Sequence, residues 1–162
     1  MYRPARLTAG AIATTALVSL MLEYLAYADV DAPTLVLWRM AQYFTILTNL
    51  LIAVGLAFGA ITGRQLTAFW AGALTLWIAL VGVTYHLLLS QDLEPLSLRW
   101  WANLGMHSAV PLLSVLWWIA FAPKRGLTFR DAGTWMFWPL TYVCYVLIRG
   151  ANTGRYPYYF LN

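Results

Sequence analysis

Long apolar runs, each ended by a short polar connection, recur along the chain. Five of them are long enough, or nearly so, to span a bilayer core as helices: 7–27, 39–61, 67–89, 103–122 and 132–149. A helix crossing the hydrocarbon layer needs about 20 predominantly apolar residues. No run shows the two-residue alternation of barrel strands, and helices are the remaining way to satisfy every backbone polar group in lipid. The pattern therefore predicts an all-α protein, a polytopic transmembrane bundle of five spans formed as a single domain over residues 1–162. The expected connections are 29–33, 62–65, 90–99 and 123–131, and neither an internal repeat nor a low-complexity tract interrupts them.

Composition settles the solvent. The chain is 62% hydrophobic and 10% charged, with a mean hydropathy of +0.67, whereas soluble domains are roughly half apolar and a quarter charged. Nine Trp and ten Tyr add the aromatics typical of membrane interfaces. The lipid bilayer is thus the expected partner. A net charge of +4 would suggest nucleic acid in a soluble protein, but here the positive-inside rule accounts for it, and no nucleic-acid partner is expected. The single Cys144 forms no internal disulfide.

Basic residues orient the bundle. Arg3, Arg6, Arg64, Lys124, Arg125 and Arg130 fall on the side of the N-terminus, while Arg39, Arg99, Arg149 and Arg155 fall on the other, with Asp29, Asp31, Asp92 and Glu94. The bias places the N-terminus in the cytoplasm. Ala26-Tyr27-Ala28 after an apolar run imitates a signal-peptide cleavage site, but the run is long for a signal core and contains Glu23, so a retained first helix is expected.

With this topology the buried polar residues fall in one layer. Glu23, Thr45, Thr48, Asn49, His86 and His107 all lie in the half of the membrane away from the N-terminus, and Arg149 and Asn152 close the fifth segment at the same end. Ionisable side chains at such depth face the bundle interior and pair with one another. Asn103 lies four residues before His107, on the same helix face. Pro111 lies four residues after it and cannot donate to the His107 carbonyl. A polar cavity opening outward is the economical explanation. Each residue also has a structural alternative: Thr48 and Asn49 as links between helices, Glu23 with Arg149 as an ion pair, and His86 reaching for the interface.

Thr and His are the minimum for nucleophilic catalysis, the hydroxyl attacking and the imidazole taking its proton, with amides holding an oxyanion. Asn49, Thr48, Asn103 and Glu23 are the candidates for oxyanion or orienting roles. No nucleophile elbow, His-Glu-x-x-His or phosphate loop occurs. Two histidines without further ligands make a poor metal site, so neither a metal nor a cofactor is expected. Other readings of the layer are haem ligation by His86 and His107, proton or solute transport, and helix packing alone.

Three stretches carry a resemblance: Tyr43-Phe44-Thr45-Ile46-Leu47-Thr48-Asn49-Leu50, Asn103-Leu104-Gly105-Met106-His107-Ser108 and Tyr156-Pro157-Tyr158. Together they resemble the androgen-induced-gene family of multi-pass membrane hydrolases, which includes the androgen-dependent TFPI-regulating protein and many bacterial members; this chain is closest in style to the bacterial type. The resemblance implies a threonine hydrolase of lipid esters, in animal members the esters of fatty acids with hydroxy fatty acids. It assigns Thr45 as nucleophile and His107 as base, and His86, Arg149, Asn152 and Tyr156 are expected to line the pocket. The family usually has six spans, against five expected here, which leaves three outcomes: a less enclosed cavity, a cavity completed by another subunit in a homo-oligomer, or lost activity. The animal pattern has Asn or Asp at the position of Thr48, whereas here the amide is Asn49, which keeps Thr48 as a fallback nucleophile.

Overall fold

A computed structural model describes residues 1–28 and 31–158; Asp29, expected in the first connection, lies outside the described residues. Most of the described residues are helical, and there is no strand among them. Four helical segments are long and apolar enough to cross a membrane: Arg3–Ala28, Phe44–Thr62, Ala68–Leu89 and Leu98–Phe121.

The first, α1 (Arg3–Ala28), buries Ala5, Ala9, Ile12, Ala13, Ala16 and Ser19. This stripe of small residues lets α1 lie closely along most of α3 (Phe44–Thr62) and against α5 (Leu98–Leu104). On α3 the inward stripe is Thr45, Thr48, Asn49, Ile52, Ala53 and Leu56. Its spacing is helical, polar at one end and apolar at the other. Helix α4 (Ala68–Thr84), capped by the Thr67 hydroxyl, packs on α3 and on α6 (Val110–Phe121). Basic residues close the helix ends on the N-terminal side. Arg6 donates to the Ala60 and Ile61 carbonyls at 2.6 and 3.1 Å, capping α3. Lys124 donates to the Trp118 and Ile119 carbonyls, capping α6. Cations at helix C-termini also meet the negative end of the macrodipole.

Two expected helices are broken. The 39–61 stretch divides into α2 (Pro33–Met40) and α3, with a turn at Ala41 and Gln42. The carbonyls released there are taken up from across the bundle: Tyr145 donates to Ala41 at 3.2 Å, Tyr142 to Gln42 at 2.7 Å, and Arg149 to Trp38 at 2.6 Å. The last stretch divides at Met136 into α7 (Phe129–Trp135) and α8 (Phe137–Thr153). Helix α8 has 17 residues, short of the ~20 a perpendicular span requires. The fourth stretch begins earlier than expected, at Leu98, with Ser97 as its cap.

Candidate functional site

Two π turns shape the site. One, Tyr85–Leu89, ends the helix begun by α4; the other, Gly105–Ala109, joins α5 to α6. Each inserts a residue into the regular ladder, which re-aims side chains and releases carbonyls from their ordinary partners; such insertions are frequent at functional sites. Pro111 follows the second turn and carries no N–H for the His107 carbonyl. Gly105 makes the close approach possible. A Cβ there would stand 1.8 Å from the Ser19 hydroxyl of α1, so any side chain would push α1 away from the turn.

The turn at Gly105–Ala109 directs His107 at α3. Thr45 Oγ1 lies 3.2 Å from His107 Nε2, and His107 Nδ1 lies 3.2 Å from the Asn103 carbonyl oxygen. A carbonyl only accepts, so Nδ1 carries the proton, and Nε2 is left as the acceptor for the threonine hydroxyl. This is the tautomer a general base needs. Tyr85 stacks on the imidazole, with ring centroids 4.0 Å apart and planes inclined at 23°. Its hydroxyl accepts from Asn103 Nδ2 at 2.5 Å. The ring is thus held on one face by an aromatic and at one edge by a backbone oxygen.

The remaining predicted residues separate into those in the site and those outside it. Asn49 is fully buried, and its Nδ2 donates to the Thr45 carbonyl at 2.9 Å and the Met106 carbonyl at 3.3 Å. It ties α3 to the π turn, and its amide hydrogens are not aimed at an oxyanion. Thr48, also fully buried, accepts from Trp138 Nε1 at 3.1 Å and does not meet His107. His86 meets Ser108 Oγ at 3.1 Å, linking the two π turns rather than forming a second ligand opposite His107. Glu23 lines the cavity, where Arg99 is the charge facing it. It neither orients His107, whose Nδ1 is held by Asn103, nor pairs with Arg149. Arg149 stacks over Trp38 at 3.8 Å and bonds Tyr145. Asn152 turns back to the Ile148 carbonyl and lies with Arg149 in a separate surface groove. Among the described residues no group of three or more His, Cys, Asp or Glu comes together.

Tyr156 is displaced from the site by its neighbour. Gly154, at φ 67°, ends α8 and folds the chain back, so that the Tyr156 ring lies against Gly150 while Tyr158 reaches the cavity beside Thr45. The Tyr158 hydroxyl accepts from the Phe44 amide at 3.2 Å. Burial pushes its phenol above the ordinary value, so it remains a proton carrier. Tyr158, Tyr85 and Arg99 are the site residues that sequence reasoning passed over. The Tyr-Pro-Tyr element contained one of them, but nothing in its spacing separated Tyr158 from Tyr156.

Thr45, His107, Asn103, Tyr85 and Tyr158 line one cavity of about 250 Å³ together with Glu23, Tyr27 and Arg99. No protein-family model, curated relative or solved structure matches the chain.

Proposed function

We propose that the chain is an intramembrane hydrolase of lipid esters, with Thr45 as nucleophile and His107 as general base. The observation that carries this is the 3.2 Å contact between Thr45 Oγ1 and the acceptor nitrogen of His107, set in a cavity of about 250 Å³. The resemblance of the Thr45, His107 and Tyr158 stretches to the androgen-induced-gene family points the same way. In this reading Thr45 Oγ1 attacks the ester carbonyl carbon as its proton passes to His107 Nε2. The tetrahedral oxyanion forms beside Tyr158, which donates to it. Collapse breaks the bond to the alcohol oxygen, which takes the proton from His107. Water, deprotonated by the same nitrogen, then releases the acid and restores Thr45.

In this reading α8, whose 17 residues are at the lower limit of about 17 for crossing the hydrocarbon core, forms a fifth span, with α7 lying at its start. The end of the bundle capped by Arg6 and Lys124 faces the cytoplasm, and the cavity opens on the other side. Hydrolysis of p-nitrophenyl esters by the purified protein tests the reading. Thr45→Ala abolishes turnover while Thr48→Ser retains it; equal activity in Thr45→Ala and wild type contradicts the assignment.

A further inference from the structure

Helix α8 reaches the rest of the bundle largely through big side chains: Trp138 to Thr48, Tyr142 to the Gln42 carbonyl, and Arg149 to the Trp38 carbonyl. The spacing they impose leaves a second cavity, of about 190 Å³, between α4 and α8. Val81 and Val146 form its buried floor, at 4% and 0% exposure, while Leu80 and Val143 form open lips at 45% and 41%. Apart from Thr84 and the hydroxyls at its inner end, this groove is hydrocarbon. At that inner end Thr45, Tyr85 and Tyr158 line both the groove and the polar cavity. The candidate nucleophile therefore stands where the two spaces join.

We propose that the groove between α4 and α8 is an acyl-chain subsite, taking a single unbranched hydrocarbon chain that enters sideways from the bilayer between Leu80 and Val143. The inference rests on the esterase reading of Thr45 and His107. A polar group placed in the groove would lose its water without gaining partners. A chain leaving the bilayer loses no hydration and gains packing. The assignment also gives the ester a direction: its acyl half lies in the groove and stays on Thr45, and its alcohol half leaves through the polar cavity. An apolar cavity of about 150 Å³ holds a benzene-sized ligand, so this groove takes on the order of six to eight carbons before the chain passes its lips.

The test uses the full-length protein in detergent, with Leu80→Trp and Val143→Trp, whose indoles fill the groove from its lips. Leu112→Trp, on the exposed face of α6 at 61% exposure, is the control. Two quantities are read: the ratio of kcat/KM for p-nitrophenyl decanoate to that for the acetate, and the position of saturable photolabelling by a diazirine-bearing decanoate ester. Each groove variant should lower the ratio about tenfold or more, since pocket methylenes discriminate on that scale. Leu112→Trp should leave the ratio as in wild type. The label should fall on residues 80–84 and 139–146 and be lost from the groove variants. Unchanged ratios, with the label elsewhere, overturn the subsite while leaving the Thr45–His107 pair standing. A label in the groove of a wild-type protein that hydrolyses no ester supports the chain site and overturns the esterase reading beneath it.

Discussion

The inward face of α3 reads as two materials. From Ile52 through Ala53 to Leu56 it packs into a dry core with Ile12, Ala13, Leu74 and Ile78, in regular α-helix. One and two turns earlier the same face carries Thr45, Thr48 and Asn49, and there the facing helices open into π turns around a cavity. The dry half is held by small residues in close contact. The polar half is held by hydrogen bonds that end on backbone carbonyls, from Asn49 to Met106 and from His107 to Asn103. Regular packing stabilises one half; irregular backbone in the other is tolerated where it lines a cavity.

If the halves are separable in this way, mutations should sort by which property they damage. His107→Ala removes the proposed base and should lower ester turnover by about three orders of magnitude or more, with the melting temperature in detergent nearly unchanged. Ile78→Ala in the dry half should do the reverse. It is fully buried, and its truncation should lower stability by about 3 kcal/mol, read by denaturant titration, while turnover per folded molecule stays at the wild-type level. Tyr158→Phe keeps the ring and removes one hydroxyl donor, for a loss in kcat of about a hundredfold. Asn49→Leu sits at the junction and should move both readouts, with a stability loss of about 1 kcal/mol and a fall in turnover, because the link from α3 to the π turn is gone.

Much of the polar half was legible in the sequence. Thr45 and His107 are conspicuous because a hydroxyl and an imidazole at one depth of a membrane have few reasons to coexist, and the Asn103 spacing put an oxygen near the ring. The acceptor proved to be the backbone carbonyl of Asn103 rather than its side chain, since π turns leave no mark in residue type. The break at Ala41 was equally silent. No Gly or Pro announces it, and the carbonyls it releases are satisfied by Tyr142, Tyr145 and Arg149, about a hundred residues later in the chain. Arg149, for which an ion pair with Glu23 was the structural alternative, serves α2 for the same reason. Tyr158 depended on the turn at Gly154, where a left-handed glycine decides which of two tyrosines points inward.

The central claim is that Thr45 is an activated nucleophile, and labelling the folded protein with a fluorophosphonate followed by peptide mass spectrometry tests it most directly. The account predicts an adduct on Thr45 Oγ1 that disappears in His107→Ala and persists in Thr48→Ala. An adduct confined to Thr48 or Ser108, or a folded protein that takes up no label at all, would contradict it.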